Sequence, residues 1–328
     1  MKRVFSGVQP TSELHLGNYL GAIRRFVQLQ DEMDCVYSIV DLHSITIPQE
    51  PSALRENSLK LAALFMAVGL DPDRIILFMQ SQVRAHSELA WLLQCVAYTG
   101  ELNRMTQFKE KSQGKEAVSV GLYTYPTLMA ADILLYDTHY VPVGNDQKQH
   151  LEFTRDIAER FNSRFGETFV IPEPLITNVS EGARIMALDN PDKKMSKSNP
   201  NPHSKINLLD SPSKIKKSIM KAVTDSDAEV RYDWDEKRGI SNLMTIHSVM
   251  SGQSIKEIEK TYANAGYGTF KRDLAEIVAD SLSPIQKRYE EIRSSGEVEK
   301  AMKNGAEKAS SIADEVVNRA KKKMGFVL

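Results

Sequence analysis

The sequence predicts an α/β protein, a doubly wound parallel sheet followed by an all-helical C-terminal domain, and three observations carry that expectation. In the first half, short and nearly continuous apolar runs alternate with longer stretches of helical period, the pattern of a parallel sheet covered on both faces. From residue 207 to the end no run of that kind recurs. The chain has 328 residues, 41% of them apolar, which suits about two domains of ordinary size.

Lys2-Arg3-Val4-Phe5 reads as the first strand. Leu16, Leu20, Ile23 and Val27 follow at helical spacing and form one apolar stripe. Cys35-Val36-Tyr37-Ser38-Ile39-Val40 has the length and composition of a buried strand. Pro51 suits the first turn of the next helix, whose Leu61, Leu64, Phe65 and Val68 recur at helical spacing up to Gly69. Asp71-Pro72 turns the chain into a third strand, Ile75-Ile76-Leu77-Phe78-Met79. Helices are expected over 87–98 and 124–136, then a short strand Tyr140-Val141-Pro142-Val143 and a helix after Gly144. In such a sheet the ligand lies outside the carboxyl ends of the strands, near residues 6–9, 41–43 and 80–82. Pro191, Pro200, Pro202 and Pro212 among Asn, Ser and Lys mark a mobile loop and then a boundary near 207, dividing 1–206 from 207–328.

Composition excludes several classes. The longest apolar stretch, residues 61–70, falls well short of the ~20 residues of a membrane span. Met1-Lys2-Arg3-Val4-Phe5-Ser6-Gly7 turns polar too early for a signal peptide, so no membrane and a cytoplasmic location are expected. Cys35 and Cys95 sit in apolar runs without C-x-x-C spacing and read as reduced core residues, with no metal site. Lys+Arg number 42 against 43 Asp+Glu, a formal charge of -1, so any polyanion must meet a local patch. Residues 193–221 supply one, with eight lysines and a single acid, Asp210. A bound polyanion would account for it, and so would a solvated lysine-rich helix.

Two strings suggest nucleotide chemistry. Lys194-Met195-Ser196-Lys197-Ser198 offers two cations and two hydroxyls on a loop, able to wrap a polyphosphate; a solvated basic loop is the plainer alternative. Gln9-Pro10-Thr11-Ser12 leads to His15-Leu16-Gly17-Asn18 at the mouth of a helix. There the helix N-terminus, a close-approach glycine and side-chain donors would suit phosphate or ribose, and an ordinary helix start would look the same.

Together these strings resemble the two signatures of the class I aminoacyl-tRNA synthetases. The second is intact; the first has Leu16 for Ile and Asn18 for its second His, which makes Asn18 a neutral donor. Pro126-Thr127-Leu128-Met129-Ala130-Ala131-Asp132-Ile133-Leu134-Leu135-Tyr136, Val141-Pro142-Val143-Gly144-Asn145-Asp146-Gln147 and Gly182-Ala183-Arg184-Ile185-Met186 narrow the resemblance to the bacterial tryptophan-specific branch, over essentially the whole chain.

The resemblance implies tryptophan and ATP as substrates, Mg²⁺ with the triphosphate, tRNA as acceptor and a homodimer. It implies a Rossmann-like catalytic domain over 1–206 and anticodon binding by 207–328. Lys194, Lys197 and Lys111 would act on the triphosphate. Gln9, Pro10, Thr11, His15, Gly17, Asn18, Met195, Ser196 and Ser198 would surround the nucleotide. Gly144, Asn145 and Asp146 would hold its ribose and Ile185, with Met186, its adenine. Asp132 would accept the indole N–H, a donor-only group. Met129, Phe5, Val141 and Val143 would pack on the ring. Tyr125 and Gln147 would hold the amino and carboxylate groups, with His43 close by. Each has a plainer alternative: core packing for the apolar four and for Ile185 and Met186, a hydrogen-bonded structural role for Asp132, helix capping for Asn145, Asp146 and Gln147, core for His43, solvent for Lys111. A tyrosine-specific relative and an inactive RNA-binding relative are the rival readings.

Overall fold

The computed structural model describes residues 1–10, 13–114, 117–144, 147–175, 184–197 and 199–328. Among these residues five strands, β1 (Arg3–Val8), β2 (Asp34–Ile39), β3 (Ile76–Met79), β4 (Tyr140–Pro142) and β5 (Glu173–Leu175), form one sheet in the order β3-β2-β1-β4-β5. Every pairing is parallel. The chain winds outward from β1 to β3 and then returns to lay β4 on the other side of β1. That reversal of direction opens a crevice at the carboxyl ends of β1 and β4.

Side chains alternate across the sheet, and both faces are buried. Val4, Cys35, Tyr37, Ile39, Leu77 and Met79 enter one apolar cluster. Their neighbours Phe5, Val36 and Phe78 enter the other. This is why the strands read as continuous apolar runs.

The connecting helices come in the expected places. α1 (Leu16–Asn18), a π-helical turn (Tyr19–Ile23) and α2 (Arg24–Leu29) make one continuous element. The wide turn shifts the buried stripe, so Phe26 and Leu29 are enclosed while Val27 is only half-buried. α3 (Asp41–Ser44) follows β2, and α4 (Pro51–Ala67) carries Pro51 at its start. α5 (Ala85–Gln94), α6 (Thr99–Asn103), α7 (Thr106–Ser112), α8 (Val120–Leu134) and α9 (Lys148–Phe165) complete the first half.

α10 (Pro212–Met220), α11 (Arg238–Ser251), α12 (Ile255–Tyr262), α13 (Tyr267–Ser295) and α14 (Glu297–Met324) follow, all helical. They do not stand apart from the sheet. α13 lies on α4, with Arg293 paired to Glu56 at 2.8 Å, and α14 covers the open edge at β3. A β-carbon on Gly305 would fall 1.8 Å from the Leu77 carbonyl oxygen, so α14 approaches this closely only because that residue has none. The covered edge cannot pair with another chain. No helix among the described residues is long and apolar enough to cross a membrane.

The apolar run 185–188 does not join the sheet; Met186 forms an isolated antiparallel bridge to Lys194. β5 was not anticipated, because Pro174 between the exposed Glu173 and the half-buried Leu175 carries no apolar alternation. Cys35 is buried as expected, but Cys95, just past the end of α5, is exposed.

Candidate active site

The first motif builds a helix N-terminus. His15 has extended backbone and caps the helix reciprocally: its Nδ1 accepts the Asn18 N–H at 3.2 Å, and its own N–H donates to Asn18 Oδ1 at 3.3 Å. The segment is fixed from the far side by Leu16 N–H to the Ile206 carbonyl and Leu208 N–H to the Leu14 carbonyl. The second motif reaches the same place. Met195 is 2% exposed, and a β-carbon on Gly17 would lie 3.3 Å from its Cβ and 3.1 Å from the His15 ring. Two strings 177 positions apart at Asn18 and Met195 thus meet over one glycine.

Met195 N–H donates to the Ile185 carbonyl at 3.0 Å and Ala187 N–H to the Lys193 carbonyl at 2.8 Å. Asn242 of α11 clamps the same segment, its Oδ1 accepting Met186 N–H and its Nδ2 donating to the Met186 carbonyl. Lys205 Nζ donates to the Lys197 carbonyl at 2.7 Å, holding the loop from below. Lys194 is exposed and Lys197 half-buried, and burial pulls the Lys197 amine below its ordinary value. Burial first, then Lys197, Lys205 and Lys194, push the His15 imidazole down to about 4. Neutral His15 accepts at Nδ1, so its proton sits on Nε2, free to donate.

That shift makes His15 an acid-labile cap. Its folded value lies below the ordinary 6.5, so the unfolded chain takes up its proton first as pH falls. The contribution is fully present above about pH 6.5 and is lost toward pH 4, amounting to about 3 kcal/mol. We expect His15→Asn, which keeps a short capping acceptor, to flatten this part of the profile. Denaturant unfolding at pH 7 and 4.5 checks it; identical pH slopes in variant and parent would remove His15 from the account.

The second group of residues surrounds Asp132 on α8, which is 2% exposed. Its Oδ1 accepts from Gln80 Nε2 and from His86 Nδ1, each at 2.6 Å, and its Oδ2 from His43 Nε2 at 2.7 Å. Burial works to raise this carboxyl, but the charge and hydrogen bond of His43, then His86, outweigh it and hold the group below its ordinary range. Asp132 is therefore an anion at neutral pH. His43 stands on α3 just past β2 and Gln80 just past β3, at the strand ends where a ligand was expected.

Phe5 and Val141 are buried, and Met129 and Val143 half-buried, on the Asp132 side of the sheet. Tyr125 is buried, with its hydroxyl 2.5 Å from His150 Nε2; burial first, then Glu110, push that hydroxyl well above its usual value. Lys111 is exposed, its Nζ 5.8 Å over the Tyr125 ring, and so belongs with this group rather than with Lys194 and Lys197. Gln147, half-buried, occupies the N-cap position of α9 without a side-chain cap bond, and its N–H donates to the exposed Gly144 carbonyl. Ile185 and Met186 are buried, Gln9 half-buried and Pro10 buried. Ser196 is half-buried. Thr11, Asn145, Asp146 and Ser198 lie outside the described residues.

Gln80 falls within the strand-end segment 80–82 expected near the ligand, although its sequence context assigns it no role. Sequence reasoning missed His86, His150, Lys205 and Asn242, whose contacts no local spacing encodes.

Residues 1–283 match the family model described as tRNA synthetases class I (W and Y). The chain is 62% identical to the tryptophan–tRNA ligase of Caldanaerobacter subterraneus subsp. tengcongensis, over 100% of this chain and 99% of that protein. It is 53% identical to that of Bacillus subtilis, over 98% and 97%. Among solved structures, the tryptophanyl-tRNA synthetase of Mycoplasma pneumoniae superposes with a TM-score of 0.90 at 36% identity, covering 100% of this chain and 98% of that one. That of Campylobacter jejuni, complexed with ADP and tryptophan, gives 0.86 at 36% identity, covering 99% and 100%.

Proposed function

Since the chain belongs to the class I tRNA synthetases of the tryptophan and tyrosine group, we propose that it is a tryptophan–tRNA ligase whose two substrate sites are the two clusters just described. One observation carries the amino-acid assignment. Asp132 is a buried anion beside the apolar residues Phe5, Met129, Val141 and Val143. Among the described residues its Oδ2 accepts one hydrogen bond while Oδ1 accepts two. Oδ2 keeps a lone pair for the indole N–H, a donor with no acceptor function.

ATP takes the other cluster. Lys194 and Lys197 supply positive charge to its triphosphate, and His15 Nε2 and Asn18 supply donors. Gln9, Pro10, Gly17, Met195 and Ser196 form the surrounding wall, with Thr11 and Ser198 assigned to the nucleotide by their motifs alone; Gly144, Asn145 and Asp146 are assigned to the ribose, and Ile185 and Met186 to the adenine. Lys111, beside Tyr125, reaches the phosphates from the amino-acid side. Tyr125 and Gln147 orient the tryptophan amino and carboxylate groups, with His43 next to them. The carboxylate oxygen then attacks the α-phosphorus in line. A carboxyl–phosphate bond forms, the bond to pyrophosphate breaks, and no protein nucleophile is needed. Positioning and charge stabilisation carry the step. The second step passes the tryptophanyl group to the terminal ribose of tRNA, releasing AMP. Mg²⁺ fits as a companion of the triphosphate: the described side chains assigned to this cluster include amines, amides, an imidazole and the Ser196 hydroxyl but no carboxylate, so the ion's ligands would be phosphate oxygens and water. It would neutralise phosphate charge there.

Residues 207–328 contribute the anticodon contacts, and the exposed lysines between 193 and 221, Lys205 apart, offer a positive face to a polyanion. The enzyme works as a homodimer. Trp91, Tyr98, Val120 and Ile45 are large apolar residues between 59% and 76% exposed, and the Ser119 hydroxyl, bonded to the Thr46 carbonyl, ties two of their segments together. A second copy would cover them. Sedimentation at micromolar concentration should give twice the chain mass; a fully active monomer would remove this part of the proposal. Charging of tRNA(Trp) transcripts tests the function itself, and acceptance of tRNA(Tyr) in preference would overturn it.

A further inference from the structure

We infer that His86 and Gln80 are positioning residues for tryptophan selection, two buried donors that occupy Asp132 Oδ1 and thereby leave Oδ2 as the oxygen presented to the substrate. This rests on the reading that Asp132 accepts the indole N–H. His86 is 0% exposed and held at both ring nitrogens, Nδ1 2.6 Å from Asp132 Oδ1 and Nε2 2.7 Å from the Tyr136 hydroxyl. Ionised Asp132 can only accept, so the ring carries a proton on Nδ1. Nε2 meets the Tyr136 hydroxyl, which donates or accepts as the ring requires, so all three groups are satisfied. Tyr136 is itself fixed, stacked on Phe5 at 5.6 Å with its carbonyl bonded to Arg3.

Gln80 is oriented just as firmly. Its Oε1 accepts the Leu42 N–H at 3.1 Å, which turns its Nε2 toward Asp132 at 2.6 Å. With both Oδ1 positions taken from elements behind α8, the carboxylate cannot turn about its own axis without leaving two buried donors unpaired. The hydrogen-bond set therefore fixes which oxygen is left with capacity. His86 and Gln80 touch Asp132 and act on tryptophan only through it.

The test uses tryptophan and 3-benzothienylalanine, an analogue of the same shape with sulfur in place of the indole N–H. The ratio of their kcat/KM values in pyrophosphate exchange reads the N–H contact alone and is insensitive to general loss of activity. Asparagine at 86 places an amide donor where Nδ1 lies; glutamine places its polar end where Nε2 lies. We expect His86→Gln and Gln80→Met each to lower the ratio by roughly ten-fold, mainly through KM for tryptophan and with KM for ATP unchanged. His86→Asn should keep the ratio near that of the parent. Ratios unchanged in both His86→Gln and Gln80→Met overturn the inference, as does an equal loss in His86→Gln and His86→Asn, which would mark a packing role. Should His86→Gln fail to fold, Gln80→Met carries the same comparison. Asp132→Asn separates the two levels. If it lowers the ratio while His86→Gln and Gln80→Met do not, only the positioning role falls; if it too leaves the ratio unchanged, the assignment of Asp132 to the indole falls first.

Discussion

Replacing Asp132 by alanine is expected to lower kcat/KM for tryptophan by several kcal/mol while changing phenylalanine activation comparatively little. An apolar pocket alone discriminates between aromatic side chains by only about 1–3 kcal/mol, because shape and methylene contacts are weak selectors. A buried anion that needs a donor favours tryptophan through the bond it makes, and disfavours phenylalanine through the bond left unmade. The structure adds a consequence that the sequence did not carry. Gln80, His86 and His43 all donate to this carboxylate, so alanine strands three buried donors, each worth about 1–3 kcal/mol. A lowered melting temperature should therefore accompany the loss of specificity. Exchange rates for both amino acids, measured at a temperature where the variant is folded, decide the matter. A tryptophan-to-phenylalanine ratio that hardly moves would leave Asp132 as a structural residue.

The second large effect belongs to Lys197. Lys197→Ala should lower the rate of adenylate formation by about 2–4 kcal/mol, on the order of 10²-fold, by analogy with the removal of one preorganised donor from a developing charge. Binding of tryptophan should change little, since this lysine lies with His15 and Met195 and not with the Asp132 group. Half-buried beside two other lysines, its amine is already short of water, so the charge it brings to a triphosphate is poorly screened. Single-turnover kinetics separates the two quantities. An unchanged rate, or a loss confined to KM for tryptophan, would contradict the role.

Much of this architecture was legible because local chemistry and fold agree. β2 and β3 are apolar runs buried on both faces, Pro51 and Gly69 bracket α4, and the two motifs meet at the helix start that follows β1. The failures have physical reasons. Ile185, Met186, Ala187 and Leu188 look like a strand by composition, but their backbone pairs with residues 193–195 and with Asn242 instead of with the sheet. β5 escaped notice because a three-residue edge strand containing Pro174 needs no apolar alternation. Cys95 sits in an apolar stretch but on the outer side of its helix end. Asp132 drew attention as a charge in an apolar helix, yet its partners His86 and Gln80 are 46 and 52 positions away, a distance at which spacing says nothing.

The most direct test of the account is ATP–pyrophosphate exchange by the purified chain with tryptophan, tyrosine and phenylalanine offered separately. The two clusters, one for a triphosphate and one built on a buried acceptor for an indole donor, predict strong exchange with tryptophan and about 10⁴-fold less with phenylalanine, the discrimination expected when a polar group is left unpaired. Exchange as strong with tyrosine or phenylalanine, or none with any of the three, would contradict it.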